Sequence, residues 1–133
     1  MAFVADMSVI AAWFLPSQAT AYTKRMLDRA AKESVNLPAL WVYEFSNVLV
    51  TLERRKKLSA AQSLGALDHI AALSMVVEPE LPEAGRLAEL ARQHSLSAYD
   101  AGYLELALRK RIPLASRDSG LAKAAAVLGL LAK

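Results

Sequence analysis

The chain opens on Ala2-Phe3-Val4-Ala5-Asp6-Met7-Ser8-Val9, a short apolar run that carries one carboxylate near its end. A run this short and apolar, without polar/apolar alternation, predicts a strand buried on both faces, as in the middle of a parallel sheet. Ser8 to Leu15 then reads as a helical turn closed by Pro16, so Asp6 falls where a strand hands over to a helix. Ligands of open α/β sheets collect at that edge, beyond the carboxyl ends of the strands. The sequence therefore has to be searched for other carboxylates that reach the same edge.

Beyond Pro16, the segment Ala19 to Lys32 sets Ala19, Tyr22, Met26, Leu27 and Ala30 at helical spacing with charges between them, which predicts an amphipathic helix. Ser34-Val35-Asn36-Leu37-Pro38 predicts a brief second strand, ended by a proline that cannot join a central ladder. From Ala39 an apolar helix runs past Trp41, Tyr43, Glu44 and Leu52 and turns basic at Arg54-Arg55-Lys56-Lys57, where cations complement the helix dipole. Ser59 caps the next helix, Ala60 to Leu73. Met75-Val76-Val77 is a third strand, followed by helices over Leu81 to His94 and, capped by Ser97, Ala98 to Lys110. Ile112 to Ser116 predicts a fourth strand, Ser119 to Leu128 a last helix and Leu130 to Ala132 a final short strand. Alternation of this kind predicts a three-layer α/β/α sandwich on a mostly parallel sheet.

A length of 133 residues suits a single domain over residues 1–133. With 55% apolar but only 7% aromatic residues, the core should be built from Ala, Leu and Val. The absence of cysteine removes disulfides, Cys-ligated zinc, iron–sulfur clusters and thiol nucleophiles, and suits a reducing compartment. With no basic leader and no apolar stretch of membrane-spanning length, a soluble cytoplasmic protein is expected. A net charge of +3 and a pI near 9.3 allow an anionic partner without requiring one.

By position, Asp6 follows strand one, Glu44 lies in the helix after strand two and Asp118 follows strand four. Asp100 heads the helix that feeds strand four, and it joins the others only if that helix begins beside the exit of the first strand. Two carboxylates about 5 Å apart repel by ~3 kcal/mol at an effective dielectric near 20, so a converging set must hold protons or bind a cation. All-oxygen ligation without cysteine or convergent histidine favours Mg²⁺ or Mn²⁺. Such an ion can activate water and neutralise charge on a phosphoryl oxygen. Setting these four aside from the 13 acids leaves 9 against 16 basic residues, a surface of about +7 that suits a long polyanion. Arg54, Arg55, Lys56, Lys57, Arg109, Lys110, Arg111 and Arg117 are candidates for phosphate contact.

Val4-Ala5-Asp6-Met7-Ser8-Val9, Pro38-Ala39-Leu40-Trp41-Val42-Tyr43-Glu44-Phe45-Ser46-Asn47, Leu96-Ser97-Ala98-Tyr99-Asp100-Ala101 and Leu114-Ala115-Ser116-Arg117-Asp118 together resemble the PIN-domain ribonucleases, specifically the VapC-type toxins. The resemblance covers nearly the whole chain, in family order and spacing. It implies that Asp6, Glu44, Asp100 and Asp118 are the metal-binding acids of a Mg²⁺- or Mn²⁺-dependent endoribonuclease, and that the helix of Asp100 reaches the site. Ser8 and Asn47 match the family's supporting polar groups, and Ser116 stands where threonine is frequent. Met7 and Arg117 depart from the pattern; Arg117 either pairs with Asp118 at rest or meets the scissile phosphate. The resemblance further implies an antitoxin that lays a peptide against apolar helices, such as the hairpin over Ala39–Leu73, and homodimers facing each other.

Each residue also has a plainer local reading. Asp6 and Asp118 can cap the helices that follow them, Asp100 can be a favourable first-turn charge, and Arg54 to Lys57 a solvated helix end. Glu44 resists such a reading, because it interrupts an apolar helix face. Trp13, Trp41, Tyr43, Tyr99 and Tyr103 read as core or interface, His69 and His94 as surface, and Asp28, Asp68 and Glu105 as surface charge or local pairs. Two other functions compete. In an Asp-nucleophile phosphatase Asp6 would attack phosphorus, against which Ser8 stands where a second acid is usual; a catalytically silent RNA-binding or assembly module would hold its acids too far apart for metal.

Overall fold

The computed structural model describes residues 1–133. In chain order it comprises β1 (Ala2–Ala5), α1 (Met7–Phe14), a 3-10 turn (Pro16–Gln18), α2 (Ala21–Ala30), β2 (Ser34–Leu37), α3 (Leu40–Arg54), α4 (Ala60–Ala71), β3 (Met75–Val77), α5 (Ala84–His94), α6 (Ala98–Lys110), β4 (Leu114–Ala115) and α7 (Ser119–Val127). The four strands form one parallel sheet in the order β3-β2-β1-β4, flanked by the helices in a three-layer α/β/α sandwich. The opening strand is central, with Phe3 opposite Val35 of β2 and Val4 opposite Leu114 of β4. Phe3, Val4 and Ala5 are wholly buried, the environment their composition predicts.

Local chemistry sets most boundaries. Thr20 with Thr23 and Ser59 with Gln62 form reciprocal capping boxes at the starts of α2 and α4. Lys56 takes φ 56° just beyond α3, and Lys57 N–H returns to the Leu52 carbonyl at 2.8 Å, a glycine-type helix stop made by lysine. α5 begins at Ala84 rather than Leu81, since Pro82 disfavours helical geometry in the residue before it.

The end of the sheet differs most from expectation. β4 is two residues long: Pro113 has no N–H to donate, although its carbonyl accepts from Val4 N–H at 2.8 Å. The segment Leu130 to Ala132 is no strand, only a single parallel bridge from Leu131 to Leu114. Trp13 ties α1 to α2 by donating Nε1–H to the Thr23 carbonyl at 3.0 Å, while Trp41 stacks on Phe45 at 5.0 Å between ring centres. No helix is long and apolar enough to cross a membrane.

Candidate active site

Asp6 follows β1 directly, and its N–H extends the ladder to the Ala115 carbonyl at 3.1 Å. It is also the N-cap of α1, so the local reading of this residue holds. Its Oδ1 accepts from Val9 N–H at 3.2 Å and from the Ser8 hydroxyl at 2.5 Å, while Oδ2 accepts from the Ser116 hydroxyl at 2.5 Å. At 4% exposure, burial pushes its carboxyl above the usual range against the pull of these donors, and the charge of Asp100 adds to the rise. The two serines continue into β4's exit loop, where Arg117 N–H reaches Ser8 Oγ at 2.9 Å and Asp118 N–H reaches Ser116 Oγ at 3.0 Å.

Glu44 lies in the second turn of α3, half-buried, and its Oε1 accepts from the Tyr103 hydroxyl of α6 at 2.5 Å. Burial raises its pKa; the tyrosine bond opposes this, and the charges of Asp100 and Asp6 reinforce it. Asp100 sits in the first turn of α6, its N–H held by the Ser97 cap at 3.1 Å. Its carboxyl is pushed up by burial and then by Asp118. Asp118 caps α7, accepting from Leu121 N–H at 2.9 Å through Oδ1. α6 packs against β1, and the charge of Asp100 adds to the rise of both Asp6 and Glu44.

The four acids thus form an electrostatic neighbourhood drawn from four elements, and none takes part in a salt bridge. No three of them stand close enough to hold one ion together. Mg²⁺ needs no such cage, because it keeps several waters and uses one or two carboxylates as anchors. A hard, all-oxygen donor set with uncompensated negative charge fits Mg²⁺ or Mn²⁺, and each carboxylate oxygen that accepts one hydrogen bond retains a lone pair.

The remaining candidates are distributed differently. Asn47 is exposed one turn beyond Glu44 on α3. Arg117 does not pair with Asp118; its guanidinium donates to the Gln18 carbonyl, while the Asp118 carboxylate is turned into the start of α7. Arg54, Arg55 and Lys56 are exposed at the far end of α3, ten residues or about 15 Å along the axis from Glu44 to Arg54. Trp13, Trp41 and Tyr103 are core, but Tyr43 and Tyr99 are 80% and 68% exposed beside Glu44 and Asp100. Glu105 is a local pair, buried and bonded one turn along α6 to Arg109 at 2.8 Å. Tyr103 touches the site through its hydroxyl, a contact with Glu44 that the sequence pattern does not announce. Its only local signal was its place three residues after Asp100, on the same helix face.

The sequence profile of the PIN domain matches residues 3–127 of this chain. Its fold resembles the crystal structure of PAE2754 from Pyrobaculum aerophilum with a TM-score of 0.70, over 93% of this chain and 79% of that one. The two share 22% of their residues, so that likeness speaks to the fold. Among curated proteins, no sequence matches.

Proposed function

This chain belongs to the PIN-domain family, a nuclease-type fold, and we propose that it is a Mg²⁺- or Mn²⁺-dependent endoribonuclease. Its nuclease domain would span residues 1–133, acting in the cytoplasm as the toxin of a VapC-type toxin–antitoxin pair. The observation that carries this reading is the group of Asp6, Glu44 and Asp100, three acids from separate elements whose carboxyls all rise through burial first and then through the charge of a neighbouring acid: Asp100 for Asp6, Asp100 and Asp6 for Glu44, and Asp118 for Asp100. Acids raised in this way either hold protons or take a cation, and a cation is the alternative that gives them a function.

In this reading Asp6, Glu44, Asp100 and Asp118 together would serve the ion, one or two as direct anchors and the others through its retained waters; bound there, it would supply charge neutralisation at the phosphate and a more acidic water. Ser8 and Ser116 fix both oxygens of Asp6 and so its orientation. Asn47 lies on the exposed side of α3 near Glu44, available to the incoming strand. Arg54, Arg55 and Lys56 contact phosphates upstream or downstream of the cut rather than the scissile one, as their distance along α3 requires. Arg117 is held at Gln18 and would reach RNA only by releasing that carbonyl.

The phosphatase alternative is less well supported, because Ser8 stands where such an enzyme has its second acid, and its hydroxyl donates to Asp6 Oδ1. For partners, the α3–α4 hairpin leaves Val42, Val50, Leu64 and Leu67 exposed along an apolar groove floored by Phe45 and Ile70. We assign that groove to the antitoxin peptide and the remaining apolar surface to a homodimer. The test of the central reading is cleavage of single-stranded RNA in Mg²⁺ by the Asp6→Asn variant. Loss of cleavage with the fold retained is expected; undiminished, metal-independent cleavage would overturn the reading.

A further inference from the structure

Tyr103 is 1% exposed, with its ring packed into the core and its hydroxyl as its one polar side-chain atom. A buried hydroxyl needs a partner, and a backbone carbonyl would serve at no electrostatic cost. This one donates instead to the carboxylate of Glu44, 59 residues away, at 2.5 Å. The two helices pack closely here: a Cβ on Gly102 would lie 2.6 Å from Leu40 Cδ2 in the first turn of α3. Glu44 is otherwise a flexible side chain on a half-exposed helix face, and Tyr103 Oη is the one side-chain donor that fixes its Oε1. Its Oε2 carries no hydrogen bond within the protein.

We propose that Tyr103 is a positioning residue of the metal site: its hydroxyl pins Glu44 through Oε1 and leaves Oε2 to the cation. The inference rests on the reading of Glu44 as a metal-holding acid. The rigid core ring supplies the fixed point, and the bond converts a mobile glutamate into a preorganised ligand. A tyrosine serves here where a lysine would not, because it orients the carboxylate without placing a positive charge next to the cation.

The test is calorimetric titration of the full chain with Mn²⁺, for wild type, Tyr103→Phe, Glu44→Gln, Asp6→Asn and the Tyr103→Phe/Glu44→Gln double variant, each melted in parallel. Tyr103→Phe keeps the ring and should weaken Mn²⁺ binding by about 10- to 100-fold, the usual loss when a ligand's orienting partner is removed. Because the hydroxyl acts through Glu44, the double variant should bind no more weakly than Glu44→Gln alone. A merely structural tyrosine would lower the melting temperature and leave Mn²⁺ affinity unchanged, or would add its loss to that of Glu44→Gln; either result overturns the proposal while the metal reading stands. If Glu44→Gln and Asp6→Asn also bind Mn²⁺ as wild type does, the metal reading falls first and the proposal with it.

Discussion

The Ser116 hydroxyl lies 2.5 Å from Oδ2 of Asp6, joining residues 110 positions apart at the exits of two adjacent strands. Ser8 occupies the other oxygen of the same carboxylate at 2.5 Å. Asp6 is thereby held by groups from β1's own exit and from β4's, which makes it the most constrained of the four acids. Removing the β4 donor should be costly. Ser116→Ala is expected to destabilise the protein by about 1.5–3 kcal/mol, the range for a hydrogen bond to a charged group, while Ser116→Thr should retain most of the stability. Urea denaturation of the three proteins checks this; equal losses for Ala and Thr would mean that packing, not the hydroxyl, matters.

The raised acids also predict an unusual pH dependence. Asp6, Glu44 and Asp100 hold protons more tightly in the folded protein than in the unfolded chain. Between their ordinary and raised pKa values the folded state therefore binds more protons, and their contribution to stability falls as pH rises. Glu44→Gln removes one of these groups. In metal-free buffer, the difference in unfolding free energy between this variant and wild type should shift in the variant's favour as pH rises from about 4 to 7. Mn²⁺ should reverse the shift by stabilising wild type preferentially. A difference that stays flat with pH would contradict the burial argument.

Arg54, Arg55 and Lys56 should act on RNA affinity alone. Replacing all three by Gln is expected to raise KM, leave kcat in place and flatten the salt dependence of binding by about 0.7 in log–log slope per lost phosphate contact. An unchanged slope would identify this tract as the solvated end of α3 and nothing more.

Lys56 offers a stability test independent of function. Its φ of 56° is a conformation that glycine adopts without the steric cost that a Cβ brings. Lys56→Gly should stabilise the protein by about 0.5–1 kcal/mol, the steric relief less glycine's greater chain entropy, read from the denaturation midpoint. Destabilisation would show that the lysine side chain itself holds the helix end.

What could be foreseen in the sequence follows physical range. β1, the caps Ser59 and Ser97 and the acidic caps Asp6 and Asp118 depend on neighbours within a few residues, and the pattern announces them. Leu130 to Ala132 has strand composition, yet one bridge is all the pairing that β4's two residues leave for it. The place of Asp100 depends on how α6 crosses the sheet, which periodicity does not encode. The bond of Tyr103 to Glu44 spans 59 residues and that of Arg117 to the Gln18 carbonyl 99, distances over which local pattern carries no signal. The family resemblance bridged part of that gap for the fold.

The most direct test of a cation-completed acid site is a crystal of the wild-type protein soaked in Mn²⁺ and measured for anomalous scattering at the manganese edge. A peak is expected beside Asp6, with carboxylate oxygens from Asp6 and at least one of Glu44, Asp100 and Asp118 at about 2.0–2.2 Å. No manganese at this edge of the sheet at millimolar Mn²⁺, with the four carboxylates unmoved, would contradict it.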